Sequence, residues 1–291
     1  MIRSEWRYYA FKLAGLTLSH LPKQIGYLIA HIVADIVYIL SSRQRAIIAD
    51  NIEHVLGPEV DNSTLKKTVR AVLRNAAKNY FDLIKIPRLK IDDIERSITT
   101  HGWHHLEEAL NKGKGVMLVT AHLGSFDMGA QIFAVRSIKT TVLVESLEPV
   151  SLLNHVTTLR ESKGVTFIPS KPGVLEELIQ SLRRGEAVLL ACDRDIANNG
   201  LISDFFGEET TLPASAVLIA MRTGASVVPI FTLRRDDGRY DIYIEPAIDV
   251  IAAGNRVVAR NIEQIAGIME KYIKNCPEQW VVLSPVWASK Q

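Results

Sequence analysis

Gly115-Val-Met-Leu-Val-Thr-Ala121, followed at once by His122-Leu-Gly-Ser-Phe-Asp127, is the stretch on which the fold turns. A short, unbroken apolar run rich in strand formers reads as a strand buried on both faces, and the pattern after it reads as a helix. The same alternation continues outward. Strand-like runs recur at Thr141–Val144, Val165–Ile168, Ala187–Cys192 and Ser226–Phe231, with helical stretches at Asp127–Arg136, Leu152–Lys163, Val174–Arg184 and Pro213–Thr223. Buried strands alternating with helices predict an α/β fold, a mostly parallel central sheet flanked by helices. Tyr240–Glu245 alternates polar and apolar and is placed nearer a sheet edge; Val257–Asn275 reads as a last helix, and Trp280–Leu283 as a possible further strand.

Upstream of this core the texture differs. Helices are expected at Glu5–Ser19, Gln24–Leu40 and Gln44–Val55, with a fourth from Asn62 or Ser63, either able to cap it, to near Leu83, where Pro87 stops it. Ile25–Leu40 falls short of the ~20 apolar residues of a spanning helix and carries Asp35. Arg3, Arg7, Lys12, Lys23, Arg43 and Arg45 flank the apolar stretches, and Trp6, Tyr8, Tyr9 and Phe11 supply interfacial aromatics. That mixture suits helices lying in or on the cytoplasmic face of a membrane, peripheral or single-spanning; the competing reading packs them on the rest of the domain. The expected organisation is a single domain over 1–291, with a membrane-associating layer over 1–60 and the α/β core over 98–291.

Composition narrows the function classes. With 291 residues the chain can bury a core without staples, and two cysteines, Cys192 and Cys276, read as free thiols rather than a disulfide framework. A net charge of +2 lacks the lopsidedness of a nucleic-acid binder, so no nucleic acid is expected as a partner.

The chemistry concentrates at two strand ends. His122 and Asp127 follow the Gly115–Ala121 strand, where open parallel sheets bind their ligands. Five residues apart on one helix, the two would diverge by roughly 140°. With His122 in the loop and Asp127 in the first helical turn, the carboxylate is expected to reach back to the imidazole, Gly124 allowing the tight path. A carboxylate on one ring nitrogen lets the other act as general base toward a hydroxyl brought by the substrate. Ser125 as a nucleophile is disfavoured because the Gly-x-Ser-x-Gly elbow is absent. No metal is expected, since His101, His104 and His105 form no ligand spacing. The second cluster is Asp193-Arg194-Asp195, read either as a self-neutralising loop or as a site with Arg194 against a phosphate or oxyanion. Arg194, Asp193, Asp195, Gly124 and Ser125 are the candidate substrate-binding residues. Thr211-Leu-Pro213 is expected to open a helix with Pro213 in its first turn.

Taken together these motifs resemble the lysophospholipid acyltransferase superfamily, whose signature is His-x4-Asp or His-x4-Glu. The closer likeness is to the bacterial lipid A acyltransferases (lauroyl and myristoyl transferases) and the phosphatidylinositol mannoside acyltransferases. It is carried by Gly113-Lys-Gly-Val116 leading to Thr120-Ala-His-Leu-Gly124, by Leu182-Arg-Arg-Gly-Glu186, and by Asp193-Arg-Asp195. Asp204-Phe-Phe-Gly207, Arg222-Thr-Gly-Ala225 with Val228-Pro229, and Pro277-Glu-Gln-Trp280 complete it. The chain departs from the lipid A enzymes at Ser125 and Asp127, where those commonly have Asn and Glu, and at Asn198-Asn199-Gly200, where they carry a glycine-rich loop. Asp193-Arg-Asp195 looks more like the mannoside acyltransferases.

The resemblance implies a glycerol-phosphate acyltransferase-like fold with a hydrophobic acyl groove. It implies His122 as general base with Asp127 as its partner, and no metal or organic cofactor. The donor would be acyl-CoA or acyl-carrier protein, the acceptor a hydroxyl of a membrane glycolipid or phospholipid, and the place the bacterial inner membrane. Two rival classes stay open on sequence alone: a non-catalytic lipid-binding scaffold, and a thioesterase passing the acyl group to water.

Overall fold

A computed structural model of the chain describes residues 5–196, 198–250 and 256–287. Arg3 and the extreme ends of the expected layers lie outside those residues. Four helices come first: α1 (Glu5–Leu18), α2 (Lys23–Leu40), α3 (Ser42–Leu56) and α4 (Asn62–Lys85). Asp61 caps α4, its carboxylate accepting from the Ser63 and Thr64 amides. The cap is therefore one residue before the Asn62 or Ser63 expected, because the carboxylate reaches two free amides at once. Pro87 falls in a 3₁₀ turn, Ile86–Arg88, directly after α4.

The core follows as α5 (Ile91–Ser97), β1 (Ile98–His101), α6 (Trp103–Asn111), β2 (Val116–Thr120), α7 (Phe126–Val135) and β3 (Thr140–Val144). Next come α8 (Val150–Glu161), β4 (Thr166–Pro169), α9 (Val174–Arg183) and β5 (Ala187–Ala191). A hairpin, β6 (Leu201–Phe205) and β7 (Glu208–Leu212), leads to α10 (Ser215–Thr223), β8 (Ser226–Arg234), β9 (Tyr240–Ile244) and α11 (Val257–Asn275).

Seven strands form one sheet in the order β1-β9-β8-β2-β5-β3-β4. The pairs among β8, β2, β5, β3 and β4 are parallel, while β9 runs antiparallel to β8 and carries β1 parallel to itself. The α/β expectation with a mostly parallel sheet holds. β2 sits at the centre and all five of its residues are buried, which explains its unbroken apolar run. β9, one strand in from the edge, alternates buried and half-buried residues.

Three expectations need correction. The separate hairpin β6/β7 and the edge strand β1 were not anticipated, because Leu201–Phe205 and Ile98–His101 are short and half polar. Thr211 and Leu212 end β7, so α10 opens at Ser215 and Pro213 lies ahead of it, where its missing N–H costs nothing. Trp280 makes a single bridge to Leu123, and 280–283 adds no strand.

The N-terminal helices are packed on one side only. Gly26, Ala30 and Ala34 form the buried stripe of α2. At Gly26 a Cβ would fall 1.9 Å from the Phe81 ring, so only glycine lets α2 and α4 approach this closely. Asp35 bridges Arg70 and Arg74 of α4 at 2.6 Å each. The opposite face is apolar and bare: Leu28, Ile32 and Ile36 are exposed, as are Trp6, Tyr9, Leu13 and Leu16 along α1. Among the described residues, Lys23–Leu40 is the one helix long and apolar enough to cross a membrane.

Candidate active site

The register of the sheet builds the site. Thr120 of β2 pairs with Ala191 of β5, and the next two residues of each strand end are Ala121-His122 and Cys192-Asp193. His122 and Asp193 are thus set side by side by two adjacent parallel strands, although 71 residues separate them. The Asp193 carboxylate accepts three hydrogen bonds: from His122 Nδ1 at 2.8 Å, from the His122 amide at 2.9 Å and from Trp280 Nε1 at 2.8 Å. Asp193 is wholly buried. Burial alone would raise its pKa, but the facing His122 and the three donors outweigh it and hold the carboxyl below the ordinary aspartate value. An ionised partner fixes the proton on Nδ1 and leaves Nε2, which has no hydrogen bond among the described residues, as the basic nitrogen.

The expected reach of Asp127 to His122 is replaced by another contact. Asp127, in the first turn of α7, forms a two-point ion pair with Arg160 of α8, at 2.7 Å to Nε and 3.2 Å to NH2. Both side chains are largely buried. Arg160 sits inside an ordinary helical pattern, and nothing around it marks it out.

A cleft of about 660 Å³ runs past these groups. His122, Phe126, Asp127 and Arg160 line it together with an apolar wall that includes Leu83, Val142, Val156, Phe167 and Leu189. Its size falls in the usual range of about 300–1,000 Å³ for small-ligand sites. Phe126 stands edge-on to the His122 ring at 5.7 Å. Arg194 lines the cleft too, its guanidinium donating to Glu145 at 2.5 Å and Ser284 at 2.8 Å. Asp195 also lines it: Oδ2 accepts from the Gly200 amide, while Oδ1 is buried without a hydrogen bond among the described residues.

Asp193, Gly124 and Ser125 do not line the cleft. Asp193 lies behind the imidazole. Gly124 has φ +62°, and a Cβ there would fall 1.8 Å from the Thr232 carbonyl oxygen, so its conformation and its close approach both exclude a side chain. Its carbonyl accepts from Asn79 and its amide donates to the Gln279 carbonyl. Ser125 is buried and donates to Asp82 at 3.1 Å. Asp82 is the centre of a buried network in which Arg234 (2.7 Å), Tyr240 (2.8 Å) and Tyr27 of α2 (2.9 Å) all donate to it. The loop carrying His122 is therefore braced from beneath; of the bracing residues Gln279 lies in the Pro277-Glu-Gln-Trp280 motif, while Asn79, Asp82, Arg234, Tyr240 and Tyr27 show in none.

A family profile described as bacterial lipid A biosynthesis acyltransferase matches residues 2–289. The chain belongs to that family. Among its relatives, the phosphatidylinositol mannoside acyltransferase of Mycobacterium tuberculosis is 28% identical over 75% of this chain and 69% of its own length. The lipid A biosynthesis palmitoleoyltransferase of Escherichia coli is 22% identical over 65% of this chain and 60% of its own. The lauroyltransferase of the same organism is 24% identical over 62% and 59%. The suspected branch is thereby the right one, and the chain is an acyltransferase by family.

Proposed function

We propose that this acyltransferase moves a fatty acyl group from an acyl thioester, acyl-CoA or acyl-carrier protein, to a hydroxyl of a membrane glycolipid or phospholipid. The observation that carries the reading is the His122 ring, pinned at Nδ1 by buried Asp193 and set on the wall of an apolar cleft. Nε2 takes the proton of the acceptor hydroxyl as its oxygen attacks the thioester carbonyl. The tetrahedral intermediate collapses with cleavage of the C–S bond, and the thiolate leaves with the proton from the imidazolium. Asp193 stabilises that imidazolium, the orienting part expected of Asp127. Asp127 acts through Arg160, whose guanidinium it fixes on the cleft wall as a counter-charge for an anionic substrate group or for the oxyanion. Arg194 and Asp195 flank the same cleft and suit the phosphate and hydroxyls of the polar headgroup.

The apolar wall takes the acyl chain. The bare faces of α1 and α2 lie on the cytoplasmic face of a bacterial plasma membrane, with residues 1–60 as the membrane-facing layer of one acyltransferase domain. The relatives named for phosphatidylinositol mannosides and lipid A support a glycolipid acceptor. The test is mass spectrometry of bacterial membrane lipids incubated with the protein and a labelled acyl-CoA or acyl-carrier protein, with His122→Ala alongside. A new acylated lipid formed only by the wild type is expected. Labelled free fatty acid unaffected by lipid would make it a thioesterase, and transfer by His122→Ala would sink the general-base role.

A further inference from the structure

A second cavity, of about 400 Å³, lies between α2, α4 and the turn joining β8 to β9. It shares no lining residue with the catalytic cleft: Ala76 and Asn79 of α4 face the cleft, whereas Arg74, Asn75 and Lys78 face the second cavity. The reaction proposed above places no group in it.

Its chemistry is divided. On the helix side stand Lys23, His31, Arg74 and Lys78; on the turn side Asp236 and Asp237 stand with Arg235, and Glu278 lies beside them. Most of these charges are spoken for. Arg74 is paired with Asp35, and Asp237 with Arg239 at 2.8 Å. Lys78 is not: among the described residues its ammonium has no hydrogen-bond or ion-pair partner, only the Tyr27 ring at 5.4 Å. Partial burial, followed by the nearby Arg234, pushes the Lys78 pKa below its ordinary value against the opposing pull of Asp82 and Asp236. His31 Nε2 is likewise buried without a partner. An unmatched cation and an unsatisfied ring nitrogen therefore line the helix side; an anion with several acceptor oxygens satisfies the first directly and the second in its Nε2–H tautomer.

The place of the cavity names the source of that anion. Tyr27 and His31, which line it, alternate along α2 with Leu28 and Ile32, which are exposed and apolar. When the apolar face of a helix rests in a bilayer, its flank lies at the depth of the headgroups. The carboxylates of the turn side are acceptors for hydroxyl donors. We propose that this cavity binds the headgroup of an anionic membrane phospholipid that carries a polyol, with its phosphate at Lys78 and His31 and its hydroxyls toward Asp236 and Glu278. The bound lipid is an anchor that sets the enzyme on the membrane; the acyl acceptor sits across α4.

The test is co-sedimentation of the full chain with vesicles of phosphatidylcholine alone, with added phosphatidylglycerol, or with added phosphatidylserine. Wild type should prefer the phosphatidylglycerol vesicles. Lys78→Gln should lose about fivefold in affinity for them, the effect of one basic group engaged at an anionic surface, and nothing on phosphatidylcholine. Lys112→Gln, which removes the same charge from the exposed end of α6, should change neither. Lys78→Gln without lipid should melt no lower than wild type, since it removes an unmatched charge, and this separates lost binding from lost fold. Equal losses for Lys78→Gln and Lys112→Gln, or an equal preference for phosphatidylserine, would overturn the site in favour of bulk surface charge. A melting temperature raised by inorganic phosphate in wild type only, with no vesicle preference, would reassign it to free phosphate.

Discussion

Asp193 holds His122 at two points, ring nitrogen and backbone amide, so it sets the direction of the imidazole as well as its tautomer. Asp193→Asn keeps the shape but gives an amide that cannot stabilise the imidazolium. The turnover number should fall on the order of 10²–10⁴-fold with little change in KM, measured by acyl transfer at saturating donor. An undiminished rate would show that the pair is structural only.

The same carboxylate makes stability depend on pH. Its folded pKa is depressed, so its contribution is present above the unfolded aspartate value of about 4 and is lost as pH falls through the lower folded value. Melting temperature measured from neutral pH downward should drop in acid, and Asp193→Asn should drop less steeply. Parallel curves would place the acid-labile group elsewhere.

Arg160→Ala should cost more stability than its exposure implies. It leaves Asp127 buried and unpaired, and breaking such pairs costs about 3–5 kcal/mol. The double variant Asp127→Asn with Arg160→Ala should recover part of that loss in a denaturant titration while transfer remains low. Recovery of both together would mean the pair serves the fold alone.

Tyr27→Phe removes a hydroxyl that donates to Asp82 and accepts from Arg234 Nε. The loss should be about 1 kcal/mol by chemical denaturation, the ordinary net value of a hydrogen bond. Asp82→Ala should be far worse, since it strands the buried Arg234 guanidinium and also releases Ser125. Similar costs for the two variants would show that the network carries little energy.

Leu28→Glu and Ile32→Glu place charges on the bare face of α2. Vesicle binding should fall severalfold for each while melting in solution is unchanged, because neither side chain is buried in the domain. Unchanged vesicle binding would remove α2 from the membrane contact.

Much of the molecule is legible in the amino-acid sequence. β2 is buried on both faces and says so in Val116–Thr120, and the long α11 matched its expected limits, Val257–Asn275. His122 stood out because a histidine directly after a buried strand is conspicuous. Its carboxylate did not, because the pairing is made by strand adjacency. β2 and β5 are neighbours only in the sheet order, and no local pattern states that order. The nearest acid in sequence, Asp127, looked the better partner, and Arg160, which takes it instead, is one arginine among many. The bracing groups Asp82 and Arg234 are invisible for a related reason: Asp82 lies in the last turn of α4 and Arg234 ends β8, and only burial distinguishes either from a solvated charge.

The stretch around Trp280 has a consequence for how the enzyme is born. The Trp280 indole holds Asp193, the Val281 amide donates to the His122 carbonyl, and the Gln279 carbonyl receives the Gly124 amide. These three residues are translated long after both strands they clasp. A nascent chain can lay down β2 and β5, yet Asp193 lacks its Trp280 donor, and the His122 loop two of its backbone bonds, until residues 279–281 emerge. The catalytic pair is thus the last part of the molecule to be completed, after every strand of the sheet has been made.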